Sequence, residues 1–171
     1  MDILVSSNLE RLLYLMSGDT ALVTGLMNEL NTTGRYSVPA ELKDAIQAEF
    51  WAGCCGDRTA KSAIKSVWEK HRYLCDTHTA TAWAVAEDYV NQTEDTRPMV
   101  VLSTASPYKF PASVLEAIGG DMAGDEFDQM ERLQRLTGVA IPENLATLRG
   151  KTERHTGVIE KTEMLEFILG L

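Results

Sequence analysis

Met99-Val-Val-Leu-Ser-Thr-Ala-Ser-Pro-Tyr-Lys-Phe-Pro111 is the stretch on which the reading of this chain turns. Val100, Val101 and Leu102 extend Met99 into an unbroken apolar run with two β-branched members, the pattern of a short strand buried on both faces. The run stops in Ser103, Thr104, Ala105 and Ser106, and Pro107 forbids continuation of a ladder. Ligands of α/β proteins sit at the carboxyl ends of such strands, so the adjacent hydroxyls of Ser103 and Thr104 are candidate binding groups. The same hydroxyls could simply cap the turn or the next helix, and the residues alone leave both readings open.

Two other short apolar runs end the same way. Ile3, Leu4 and Val5 give way to Ser6-Ser7-Asn8, and Tyr73, Leu74 and Cys75 to Asp76-Thr77-His78-Thr79. Asp76 and His78 at a strand end are either an acid/base or ligand pair, or a helix cap beside a structurally hydrogen-bonded histidine. Helical patterns fill the intervals. Ser7 and Glu10 form a capping-box pattern ahead of Leu9, Leu12, Leu13 and Met16, which recur on one helix face. Backbone amides there, with Arg11, make either an anion site or an ordinary capped helix.

Gly18 closes that helix, Asp19 caps a second, and Pro39 opens a third with Leu42, Ile46 and Phe50 on its inner face. Asp57 caps a helix carrying Ala60, Ile64, Val67 and Trp68, and an alanine-rich helix follows Thr79. Further helices are expected after Pro111 through Val114, Leu115 and Ile118, along the Phe127, Met130 and Leu133 stripe up to Gly138, from Pro142 to Leu148, and from Met164 to the C-terminus. Three short strands alternating with helices predict an α/β fold. In it a short parallel sheet lies between two helical layers (a three-layer αβα arrangement, helix-rich), with 1–171 as a single domain.

The totals narrow the function classes. At 171 residues the chain can bury a full core, or be a large piece of something bigger. A net charge of −9, with no cluster of Lys and Arg, argues against a nucleic-acid partner. No apolar run approaches the ~18 residues of a membrane span, and the start lacks the pattern of a signal peptide. Cys54, Cys55 and Cys75 offer neither a disulfide framework nor a closed zinc site. His71, His78 and His155 lack metal-ligand spacing, so no metal is expected. Reduced thiols point to the cytoplasm. A chain that starts directly in a strand-like run suggests a fragment.

Three signposts, in order, resemble one family. Met1-Asp-Ile-Leu-Val-Ser-Ser-Asn-Leu-Glu-Arg-Leu-Leu13 is similar to the SSN-x-ER-L segment of threonine synthases, pyridoxal-phosphate enzymes that complete threonine biosynthesis. Tyr73-Leu-Cys-Asp-Thr-His-Thr-Ala80 resembles their Y-x-x-DPHTA segment, with Thr77 in place of Pro. Val100 to Pro111 resembles their LSTAHPAKFP segment, with Ser106 in place of His and Tyr108 in place of Ala. The likeness runs over essentially the whole chain and is to the C-terminal portion of the family.

The resemblance implies a C-terminal fragment of a fold type II pyridoxal-phosphate enzyme. Such an enzyme converts O-phospho-L-homoserine and water to L-threonine and phosphate. The family's Schiff-base lysine and phosphate-cradling glycine loop lie upstream, so no catalytic residue is assigned here, Lys109 included. The fragment is expected to be inactive without the missing N-terminal half, and to self-associate through the face that half would cover.

Thr104, with Ser103 as the alternative, matches the hydroxyl that meets the pyridine nitrogen of pyridoxal 5'-phosphate. Asp76, with His78 nearby, matches a segment beside the cofactor ring. A non-catalytic α/β binding module, or another pyridoxal-phosphate lyase, is the alternative reading.

Overall fold

The computed structural model describes residues 5–154 and 156–170. The chain divides into two units, Met1–Gly53 and Cys54–Leu171. In the first, α1 (Ser7–Ser17), α2 (Thr20–Thr33) and α3 (Ala40–Glu49) surround a small core of Leu13, Val23, Leu26 and Leu42. Met16, Leu22, Tyr36, Val38 and Ile46 pack at its margin. The boundaries follow from capping. Asp19 accepts from the amides of Ala21 and Leu22, and Gly18 and Gly34 adopt the left-handed conformation that ends a helix. The cap of α1 is Ser6, whose hydroxyl accepts from Leu9 N at 3.3 Å, one residue earlier than the Ser7/Glu10 pattern implies.

In the second unit, α4 (Asp57–His71), α5 (Thr77–Thr93), α6 (Pro111–Ile118) and α7 (Glu126–Thr137) enclose the larger core. Short helices α8 (Glu143–Ala146) and α9 (Met164–Leu169) follow, and 3₁₀ turns form at Pro107–Lys109 and Lys161–Glu163. Ile64 and Val67 of α4, Val114 and Leu115 of α6 and Leu133 of α7 are almost wholly buried, with Leu74, Cys75, Ala80 and Tyr108 between them. Burying one such aliphatic side chain contributes ~1.5–3 kcal/mol, so these residues dominate the unit's stability. Arg149 ties the segment after α8 to the start of α7. Its guanidinium lies 2.8 Å from Asp125, 2.7 Å from Asp128 and 3.3 Å from Glu131, above the Phe127 ring.

The expected α/β architecture is overturned. Among the described residues there is no strand and no parallel sheet, and the regular structure is helical. Ile3 and Leu4 lie outside the described residues, and Val5 is exposed. Residues 73–75 form an irregular connector whose Leu74 and Cys75 pack into a helical core while Tyr73 stays half-exposed, and 99–103 form an irregular connector on the surface. A buried parallel strand needs neighbours on both sides to take up its N–H and C=O groups. These runs have no such neighbours among the described residues. Val100 and Leu102 are accordingly 80% and 73% exposed.

The chain leaves much surface uncovered. Its accessible area is 12767 Å². A compact monomer of this length exposes ~8,300 Å², and two independent domains of these sizes together ~9,900 Å². Met99, Val100, Leu102 and, in α9, Leu165, Phe167, Ile168 and Leu169 are among the large apolar side chains left in solvent. No described helix is long and apolar enough to cross a membrane.

Candidate functional site

The two segments singled out in the sequence run side by side in the second unit. The Tyr73 hydroxyl lies 2.8 Å from Ser103 Oγ, and the His78 and Phe110 rings meet with centroids 5.3 Å apart. Leu74 and Cys75, immediately before Asp76, share the core with Tyr108 of the 3₁₀ turn. The Tyr108 hydroxyl donates to the Val139 carbonyl, and Ser106 Oγ accepts from Tyr108 N at 3.3 Å. Residues 76–78 and 103–110 are therefore held by both packing and hydrogen bonds.

Asp76 is the N-cap of α5 and is wholly buried. Its Oδ1 accepts from His78 N at 2.8 Å, Thr79 N at 3.4 Å and His78 Nδ1 at 3.0 Å, and its Oδ2 accepts from the Thr79 hydroxyl. Burial alone would push this carboxyl up, but the hydrogen bonds from Thr79 and His78 outweigh it and hold the group below the usual carboxylate range. Asp76 is therefore ionised at neutral pH, with hydrogen bonds on both of its oxygens. The His78 side chain is 41% exposed, and its Nε2 has no hydrogen-bond partner among the described residues.

Thr104 is exposed and its hydroxyl is likewise without a described partner, whereas the Ser103 hydroxyl is engaged by Tyr73. Ser103 Oγ accepts from Tyr73 and keeps its own O–H to donate, so both hydroxyls are exposed and Thr104 is the one without a partner among the described residues. Lys109 ends the 3₁₀ turn and is exposed. Burial pushes the Cys75 thiol up to about 11, which removes it as a nucleophile, and Cys54 and Cys55 are free thiols far from the chemistry just described in sequence. Among the described residues no three His, Cys, Asp or Glu side chains come together as a metal site.

Upstream of the hydroxyls the side chains of the connector alternate in what they meet. Met99 and Val101 line a groove of about 400 Å³ with Trp83, Ala86 and Val90 of α5, while Val100 and Leu102 turn to solvent. Tyr73, Thr79 and Phe110 escaped the sequence reading as site-building residues. Thr79 had a signal: a hydroxyl three residues after a capping Asp is placed to donate back to it. Tyr73 and Phe110 depend on a tertiary contact that no spacing reveals.

Comparison with known proteins follows the same residues. Positions 79–168 match the family described as threonine synthase, C-terminal. Threonine synthase of Pseudomonas aeruginosa is 31% identical over 159 residues, covering 91% of this chain and 33% of that protein. Threonine synthase-like 1 of Macaca fascicularis is 36% identical over 119 residues, covering 69% of this chain and 16% of that protein. A crystal structure of pyridoxal-phosphate-bound threonine synthase from Brucella melitensis superposes with a TM-score of 0.64 at 40% identity, over 77% of this chain and 28% of that one. The chain spans a third or less of the length of these relatives. With the family match running from the first turn of α5 through most of α9, the chain belongs to the threonine synthase family and corresponds to its C-terminal part.

Proposed function

We propose that this chain is the portion of a cytoplasmic threonine synthase that supplies the pyridine-nitrogen side of a pyridoxal 5'-phosphate site. The complete enzyme would convert O-phospho-L-homoserine and water to L-threonine and phosphate. The observation that carries the reading is Thr104, an exposed hydroxyl with no partner among the described residues, in the segment that resembles the family's LSTAHPAKFP motif. It fits the cofactor chemically, because a neutral hydroxyl can hydrogen-bond the ring nitrogen without forcing it to stay protonated. Bound there, the cofactor would supply the electron sink for eliminating phosphate and adding water at Cβ.

The chain's own residues do the rest. Thr104 orients the ring, Ser103 stands in reserve on the Tyr73 hydroxyl, and Asp76 acts on the site through His78. The lysine that holds the cofactor covalently belongs to the rest of the enzyme, so the isolated chain turns over no substrate. Its uncovered apolar side chains suit it to pack against that remainder and, alone, against copies of itself.

A pyridoxal-phosphate titration of this chain, alone and mixed with the N-terminal portion of a threonine synthase, tests the proposal. The absorbance band of the lysine-bound cofactor is expected only in the mixture, and Thr104→Ala is expected to shift it. An unperturbed band in Thr104→Ala would move the assignment to Ser103, and no band in any mixture would retire the reading. In that case the runner-up moves ahead, a non-catalytic binding module or another pyridoxal-phosphate lyase.

A further inference from the structure

We propose that His78 is a proton-transfer group with Nε2 as its working atom, and that Asp76 is the positioning residue that fixes the ring as the Nδ1–H tautomer. The argument starts from what the carboxylate can do. An ionised carboxylate only accepts hydrogen bonds, so the 3.0 Å contact between Asp76 Oδ1 and His78 Nδ1 requires the proton on Nδ1. In the neutral ring Nε2 is then a bare acceptor, and it meets no partner among the described residues.

The ring is restrained twice more. His78 N donates to the same Oδ1 at 2.8 Å, fixing the backbone from which the ring projects, and the Phe110 ring leans on its face. Asp76 itself is immobilised by the Thr79 hydroxyl and by complete burial. A helix cap needs only an acceptor for the first free amides. Nothing in capping calls for an imidazole at the second helical position, turned back onto the capping carboxylate with its far nitrogen left open. A buried acid that orients a half-exposed base is the arrangement by which a neutral imidazole accepts a proton from an O–H group.

The O–H that Nε2 would serve rests on the reading above: the water, or a ligand hydroxyl, brought to the site formed with the rest of the enzyme. The base takes a proton at Nε2, the O–H oxygen keeps the bonding pair, and the imidazolium is stabilised by Asp76 across Nδ1–H. No redox partner is needed.

The deciding experiment reads the ring nitrogens of His78 by ¹⁵N long-range correlation in the whole chain, with the imidazole neutral. Wild type is expected to carry the proton on Nδ1 by about tenfold or more, as befits a charge-assisted hydrogen bond. Asp76→Ala removes the acceptor of Nδ1–H, so the Nδ1–H excess should collapse, whereas Asp76→Asn, whose Oδ1 still accepts from the amides and from Nδ1–H, should retain both the excess and the fold. A proton on Nε2 in wild type, or a ratio unchanged in Asp76→Ala, overturns the proposal.

A second arm uses the mixture with the N-terminal portion. His78→Gln should retain the cofactor band while kcat for O-phospho-L-homoserine falls about 10²-fold or more. An undiminished kcat overturns the proposal. Absence of the band in the wild-type mixture counts against the functional reading instead, and leaves the tautomer measurement to decide on its own.

Discussion

Residues 73–79 and 99–104 begin as the same sentence: a short apolar run, then hydroxyls or a carboxylate. They end as opposites. Leu74 and Cys75 are 5% and 1% exposed and Asp76 is wholly buried with both oxygens hydrogen-bonded, whereas Val100 and Leu102 stand in water and Thr104 bonds to nothing described. The first segment is finished by this chain alone. The second leaves a hydroxyl and an apolar strip exposed to solvent. What separates them is the company each keeps: α4, α6 and α7 close over 74–75, while only one side of 99–102 meets α5.

The contrast can be broken most forcefully at Leu74. Leu74→Ala removes buried side-chain volume and should lower unfolding free energy by about 2–5 kcal/mol in a denaturant titration. Asp76→Ala comes next, at about 1–3 kcal/mol, because it strips the α5 cap and leaves the Thr79 hydroxyl without its acceptor. The same residue gives the segment an acid signature. Its carboxyl is held below the ordinary value in the folded protein, so its contribution is complete above about pH 4 and is lost as pH falls through the folded value. Asp76→Asn should flatten that acid limb of the stability curve. Leu102→Ala closes the series with a change within about 0.5 kcal/mol, since its side chain already lies mostly in solvent. A loss at Leu102 comparable to that at Leu74 would dissolve the comparison.

The helices were largely legible and the sheet was not, for a physical reason. Helical order is local: Asp19, Asp76, Gly18 and Gly138 mark their own helix ends, and Ile64, Val67, Val114 and Leu115 fall on the buried faces their spacing implies. A sheet is a relation between distant segments. Val100-Val-Leu102 announces a strand, but the pattern does not say whether a second strand lies beside it, and among the described residues none does. Even within helices the pattern overreaches, since Leu9 belongs to the apolar spacing of α1 yet is 45% exposed. At the site, Asp76, His78, Ser103 and Thr104 were readable as residues. Their surroundings were not, because these depend on Tyr73 donating to Ser103 and on the carboxylate turning inward.

The surface in excess of what a chain of this length exposes has a calorimetric consequence. Apolar atoms already hydrated in the folded state contribute nothing when the chain unfolds. The heat-capacity increment of this protein should therefore fall below the roughly 2 kcal/mol/K typical of its length, and its stability should vary only gently with temperature. A partner that covers Val100, Leu102 and α9 would restore the missing increment, so its arrival should register as a steeper, more sharply curved melting profile.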